Sequence, residues 1–208
     1  MPSVLKKLIR NFRYGLMTKT LLDRLASKGI DIRLMYWTKE ELDDVPMPEF
    51  KDNLEEYSFG FLEPEEMKTI IEEEQKGETL ETWISWLEEG KKCFGAKHRG
   101  RVVAFCWVFF EYSTHGDKIR IKDDEVFLFY LFTKKAYRGK NIAPLIHFKL
   151  YGVLEEMGRE ACYSWTEFFN PPAKKFKKKL NAKFVKLILY IELFKKFKWI
   201  RIVRNYKL

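Results

Sequence analysis

Between Glu125 and Ala143 the chain must turn a buried strand into a helix within a few residues, and those few residues are basic and small. Val126 to Thr133 is a nearly continuous run of aromatic and aliphatic side chains, the pattern of a strand covered on both faces. From Asn141 to Met157 the apolar residues Ile142, Leu145, Ile146, Leu150, Val153 and Leu154 follow three-four spacing, which predicts a helix. The first backbone N–H groups of such a helix have no partner within it. With the helix dipole they form a site for an anion. Gly139 lets main chain approach a ligand with no Cβ in the way, Ala143 is small for the same reason, and Arg138 and Lys140 add positive charge. A diphosphate fits this description.

The rest of the chain places that turn in an α/β domain. Residues 4–27 read as a helix, with Leu5, Leu8, Ile9, Phe12 and Leu16 on one face and Lys6, Lys7, Arg10 and Arg13 mostly on the other, stopped at Gly29. Ile30 to Trp37 reads as a strand. Pro46 and Pro48 mark a boundary, so residues 1–45 are expected to be an amphipathic helical extension and residues 46–208 a single domain. Tyr57 to Leu62 is a short strand, a helix starts at Pro64, and a second helix opens at Thr79 with Leu80, Trp83, Ile84 and Leu87 as its apolar face. Cys93 to Lys97 and Val102 to Tyr112 form a hairpin around His98, Arg99 and Gly100. Ala161 to Phe168 is a strand, Ala173 to Leu180 a short helix, and Phe184 to Phe194 pairs with Trp199 to Val203.

The 208 residues are 46% hydrophobic, 16% aromatic and 33% charged, a globular mixture able to bury a core. The formal charge of +9 points to an anionic partner. Cys93, Cys106 and Cys162 are far apart and odd in number, which argues against a disulfide framework or a zinc site and for a reducing, cytoplasmic setting. There is no signal-peptide pattern and no run of roughly 18 uncharged apolar residues. The histidines are scattered: His98 in the hairpin turn, His115 in a charged loop, His147 partly packed on the helix after the basic turn. None joins a metal or nucleophile constellation, and no metal ligand is assigned.

Arg138-Gly139-Lys140-Asn141-Ile142-Ala143 resembles the acyl-CoA pyrophosphate loop of the GNAT superfamily, Q/R-x-x-G-x-G/A, with Asn141 in place of a glycine. Asparagine is the non-glycine residue best suited to left-handed backbone. Leu131, Phe132 and Thr133 are similar to the hydrophobic strand end that contacts pantetheine through main-chain groups, and the family's usual proline is missing at Lys135. Asn170-Pro-Pro-Ala173 followed by Lys179-Leu180-Asn181-Ala182 is similar to the family's N-x-x-A segment and closing turn. The resemblance spans roughly Tyr57 to Val203. It implies the acyl-CoA N-acyltransferase fold: an α+β arrangement with one mixed, mostly antiparallel twisted sheet, helices on both faces, and two strands splayed to admit acetyl-CoA. It also implies N-acetylation of a primary amine on a small molecule or protein, by direct attack on the thioester.

An ammonium with a pKa near 10 must lose a proton before it attacks, so a base or water chain is required. Glu125, at the start of the strand, is the candidate that the resemblance implies, because histone-acetylating members of the family place a glutamate base on that strand at the same distance before the loop arginine; alternation puts it on one face with Phe127, Phe129, Leu131 and Thr133. A solvated strand-end acid is the plain alternative. A main-chain N–H near Leu131 is expected to donate a hydrogen bond to the developing oxyanion. The family's acidic tyrosine position falls on Lys177. Tyr130 and Tyr163 are therefore the candidate acids, with a core tyrosine bonded through its hydroxyl as the alternative for each. Asn170 either contacts pantetheine or substrate or simply caps the next helix.

Two rival readings rest on charge. Lys174, Lys175, Lys177, Lys178 and Lys179 crowd one helix, and Lys195, Lys196, Lys198, Arg201 and Arg204 follow among Phe194, Phe197, Trp199 and Tyr206. A solvated face explains most of them. A nucleic-acid-binding module is one alternative, although no helix-turn-helix, zinc-finger or RNP signature supports it. A membrane-surface module without catalysis, acting through residues 4–27 and the basic tail, is the other. The remaining partner expectation is a homodimer.

Overall fold

The computed structural model describes residues 16–43, 45–74, 79–112 and 120–207. The expected helix residues Leu5, Leu8, Ile9 and Phe12, and His115, lie outside the described residues. In chain order the elements are α1 (Leu16–Ala26), β1 (Ile30–Glu41), β2 (Tyr57–Phe61), α2 (Pro64–Glu74), α3 (Leu80–Glu88), β3 (Lys92–His98), β4 (Arg101–Phe109), β5 (Glu125–Thr133), α4 (Ile142–Glu156), β6 (Ala161–Glu167), α5 (Pro171–Lys179), β7 (Lys183–Leu193) and β8 (Phe197–Asn205). This is the order expected from the sequence. The chain forms two compact units, one made of Glu40–Tyr163 and the other of the described residues up to Lys39 together with those from Ser164 onward.

In the Glu40–Tyr163 unit the strand order is β2-β3-β4-β5, each pair antiparallel. The β3–β4 turn is tighter than expected: His98 is already paired with Arg101, which leaves Arg99 (φ 49°) and Gly100 (φ 78°) as a two-residue connection. Two successive positive φ angles match the twist of the flanking strands. One face of these strands packs under α2 and α3 through Leu62, Met67, Ile70, Trp83, Cys93, Phe105 and Trp107. Gly95 belongs there because an added Cβ would meet Leu62 Cδ2 at 2.7 Å. The opposite face, which carries Cys106, takes α4, whose Leu145, Ile146, Leu150 and Leu154 are fully buried.

The apolar face of α3 is turned from the expected one. Ile84 is 40% exposed, while Trp86 packs edge-on against Trp107 and Phe129, both with ring centroids 5.0 Å away. Three-four spacing fits either face, and the larger buried area of an indole decides between them.

In the other unit the order is β6-β1-β7-β8. β1 runs antiparallel to β7 from Ile30 opposite Leu193 to Lys39 opposite Lys183, and β7 and β8 form a hairpin. Trp37 is buried against Trp165, with ring centroids 4.6 Å apart. The Arg33 guanidinium bonds Asp31, Asp23 of α1 and Glu167 of β6, tying helix to strands.

Candidate functional site

The alternation expected along β5 breaks at Tyr130. Phe129 pairs with Trp107 and Phe132 with Phe105, so Tyr130 and Leu131 together oppose the single residue Cys106. This is a β-bulge, and it leaves a residue's main chain out of the ladder. Tyr130 carries the strain with a φ of 51°. For a bulky residue that conformation is costly and persists only where the surroundings impose it. The imposing groups are Trp86, Trp83 and Phe105, with ring centroids at 5.8, 6.1 and 6.1 Å from Tyr130. The single face expected for Glu125, Phe127, Phe129, Leu131 and Thr133 is therefore broken at the bulge. Phe129 and Phe132 both face the cluster under α2 and α3, so Leu131 and Thr133 move to the face opposite Glu125 and Phe127. Leu131 is 36% exposed.

Beyond Thr133 the chain makes one short turn of 3-10 helix over Lys135–Tyr137 and enters α4. Gly139 has a φ of 85°, and a Cβ added there would meet no atom within 4 Å. Asn141 precedes the helix in left-handed backbone, φ 63° and ψ 23°. No side chain caps α4, and its first turn contains no acidic residue. The helix start therefore suits an anion. Ile142 is buried beneath it.

The side chains around the turn are engaged in holding it. Arg138 Nε donates to the Thr133 carbonyl at 2.9 Å. Asn141 Nδ2 donates to the Glu49 carbonyl at 2.8 Å. Lys140 Nζ lies 2.7 Å from Asp52 Oδ2, and the Tyr57 hydroxyl donates to the same oxygen at 2.7 Å. Those bonds, first to Lys140 and then to Tyr57, hold the Asp52 carboxyl below its ordinary value. Tyr137 is fixed by His98, Nδ1 to hydroxyl 2.9 Å, and His98 Nε2 meets Glu56 at 2.8 Å. Tyr57 stacks on the His98 ring at 4.5 Å. Glu56 is held below its ordinary value by Arg99 first and then His98. No local pattern announces this brace: His98 reads as a turn residue, and Asp52 and Glu56 belong to no motif.

At the other end of β5, Glu125 is only 6% exposed, so it is not a solvated strand-end acid. Its Oε2 accepts the Lys122 N–H at 2.9 Å, and its Oε1 accepts from the Tyr163 hydroxyl at 3.3 Å. Burial first, and then the Glu125 charge, push the Tyr163 phenol far up. Glu125 and Tyr163 thus meet, while Tyr130 lies five residues further along the strand. Asn170 caps α5, its Oδ1 accepting the Ala173 N–H at 3.2 Å. Lys177 is buried rather than solvated, 5% exposed.

A second polar group was not anticipated. His147 is buried, with Nδ1 3.0 Å from the Tyr151 hydroxyl, and that hydroxyl donates to Glu40 Oε2 at 2.9 Å. The i, i+4 spacing of His147 and Tyr151 was visible; their meeting with Glu40, more than a hundred residues earlier, was not. Among the described residues no group of histidine, cysteine or acidic side chains could hold a metal ion. Nor is any described helix long and apolar enough to cross a membrane. The three cysteines are buried thiols.

The Acetyltransferase (GNAT) family matches residues 47–181, which include the bulge, the turn and α4. No curated protein matches the chain significantly in sequence. Solved structures share its fold at low identity. A GCN5-related N-acetyltransferase from Sphaerobacter thermophilus aligns with a TM-score of 0.56 and 16% identity over 91% of this chain and 58% of its own. One from Kribbella flavida gives 0.54 and 13%, over 81% of this chain and 62% of its own. The glucosamine N-acetyltransferase region of a fungal multi-domain β-N-acetylglucosaminidase gives 0.55 and 18%, over 81% and 22%. The chain thus spans less than two thirds of each of these proteins. The expected α+β acyltransferase fold is the one these structures share.

Proposed function

Because this chain belongs to the GNAT acetyltransferase family, we propose that it moves an acetyl group from acetyl-CoA to a primary amine of a small molecule or protein. The observation that carries this reading is the strained bulge at Tyr130–Leu131 feeding, within one short turn, the uncapped start of α4. Two anion-seeking main-chain features in series suit a ligand with a thioester at one end and a diphosphate at the other. Bound acetyl-CoA would supply a carbonyl that the amine attacks and a thiolate that leaves.

The residues then have distinct tasks. The amides after Arg138, through Gly139, Lys140, Asn141, Ile142 and Ala143, hold the diphosphate, and the space around Gly139 supports a close approach. Main-chain groups of Leu131, Phe132 and Thr133 line up pantetheine. The Leu131 N–H donates a hydrogen bond to the negative charge developing on the acyl oxygen. Glu125 takes the amine proton. Leu131 lies six residues beyond it, ~20 Å along an extended strand, farther than one bridging water reaches, so this role requires a relay of several groups between the amine and the carboxylate. Tyr163, whose phenol stays protonated, orients that carboxylate, and Tyr130 is the candidate that gives a proton to the leaving thiolate. Asn170 spends its oxygen on capping α5, and capping is the role proposed for it. Residues 46–208 are the catalytic part of this scheme, and a cytoplasmic setting agrees with three buried thiols.

Calorimetry with acetyl-CoA and with adenosine diphosphate tests the reading. Both should bind, and Arg138→Ala and Gly139→Val should weaken both. Failure of either ligand to bind the unaltered chain overturns the proposal. For the base, Glu125→Gln should lower turnover far more than acetyl-CoA affinity; equal turnover removes that assignment.

A further inference from the structure

The β7–β8 hairpin ends in a turn whose residues do not suit it. Phe194 and Lys195 both adopt left-handed backbone, φ 51° and 57°. Glycine, asparagine or aspartate serve such positions at little cost, and a bulky aromatic there is an outlier. Strain of this kind is kept where function requires the side chain.

What it displays is a mixed apolar and cationic tip. Phe194 is 63% exposed, Phe197 71%, Trp199 46% and Leu193 36%. Cross-strand pairing sets Leu193 opposite Phe197 and Ile191 opposite Trp199, so these four side chains share one face. Lys195 and Lys196 stand at the turn itself, and Lys198, Arg201 and Arg204 follow on β8, all exposed. Glu192 takes Lys198 at 3.2 Å. The tip is held on a firm base: the Phe194 N–H donates to the Gly29 carbonyl at 2.6 Å, and a Cβ on Gly29 would come within 2.9 Å of the Phe194 ring.

We propose that this tip docks on an anionic lipid surface, with Phe194, Phe197 and Trp199 entering the headgroup boundary and Lys195 and Lys196 contacting lipid phosphates and carboxylates. Aromatic rings with flanking lysines are the composition of the membrane interface, and basic side chains near an anionic leaflet add attraction. Charge complementarity selects this occupant. A second copy would set Lys195 and Lys196 against their own kind, and Arg201 and Arg204 blunt β8 as a pairing edge. Nucleic acid would meet the lysines but leave Leu193 and Ile191 of the same face without a base to stack on.

Flotation of the full chain with vesicles of phosphatidylcholine alone, and mixed with phosphatidylserine, tests the proposal. The chain should float with the mixed vesicles and stay behind with the neutral ones. Phe194→Asn keeps a residue that tolerates the left-handed turn, so it tests the ring without damaging the hairpin; it should weaken binding ~10-fold. Lys195→Glu with Lys196→Glu should weaken it by more than ~20-fold, about five-fold per lost cation and further through repulsion. If flotation is absent, or is unchanged by both variants, the proposal is overturned. It is also overturned if the same variants abolish RNA binding or self-association while leaving vesicle binding intact. Acetyl-CoA binding by calorimetry should be unaffected in either variant, which separates failure here from failure of the catalytic reading.

Discussion

The ammonium of Lys140 and the carboxylate of Asp52 lie 2.7 Å apart, so the lysine that would greet a diphosphate is already held by a carboxylate of its own unit. An arriving anion competes with Asp52 for that charge. Asp52→Asn should therefore free Lys140 and raise the affinity for adenosine diphosphate by about two- to five-fold, the scale of a partly exposed ion pair. Calorimetric titration of the variant beside the unaltered chain is the measurement. A lower affinity would mean that the pair orders the turn more than it withholds charge.

The same brace should titrate in acid. The Asp52 and Glu56 carboxyls both sit below their ordinary values, the first through Lys140 and Tyr57, the second through Arg99 and His98. A lowered folded value contributes stability that is complete above the unfolded value, near pH 4, and is lost as pH falls through the folded value. The doubly neutral variant Asp52→Asn with Glu56→Gln should thus melt below the unaltered chain at neutral pH. The gap should close as pH falls from about 5 to about 2. Melting curves across that range decide it; a gap that widens in acid contradicts the sign.

Much of this fold was open to sequence reasoning because its signals are local. The hydrophobic run from Val126 to Thr133, the spacing of Ile142 to Leu154 and Pro64 at the head of α2 each depend on near neighbours. The turn was legible for the same reason, since Gly139 and Asn141 declare left-handed backbone by residue type. What escaped is set by distant partners. The bulge at Tyr130 follows from the register against β4, and no residue in β5 announces it. Ile84 and Trp86 compete for one face of α3, and Trp107 on another strand settles the choice. For Glu125 the sequence leaves a base and a solvated strand-end acid both open, because the Tyr163 hydroxyl that meets its carboxylate comes from another strand.

Backbone geometry around the turn gives a paired test. At Gly139, φ 85° with open space around, an added methyl meets nothing but must adopt a left-handed conformation. Gly139→Ala should lose ~1 kcal/mol of stability and weaken acetyl-CoA binding further, because the methyl occupies the path of approach. Asn141→Gly should do neither. It removes backbone strain and gives up one exposed bond to the Glu49 carbonyl, so stability should move by less than about 0.5 kcal/mol. Urea unfolding and calorimetry on the two variants check this. Equal loss of ligand affinity in both would show that the Asn141 side chain, and not its backbone, matters at the turn.

The buried group of His147, Tyr151 and Glu40 sets the last expectation. Burial first, and then the adjacent Glu40 charge, push the Tyr151 phenol well above its ordinary value, so the hydroxyl stays a donor throughout the accessible pH range. Its proton points to Glu40 Oε2 at 2.9 Å, and its oxygen meets His147 Nδ1 at 3.0 Å. Tyr151→Phe keeps the ring among the core residues and deletes only that bridge. A bond to a buried carboxylate is worth ~1.5–3 kcal/mol, more than a neutral one, because the carboxylate loses a donor without gaining water. The variant should lower the melting temperature by roughly 5 °C for a chain of this length. Adding Glu40→Gln should restore part of the loss, since a neutral amide at that depth needs the donor less than a charge does. If the double variant is less stable than Tyr151→Phe alone, Glu40 is held chiefly by its other neighbours, and the hydroxyl is a minor part of its support.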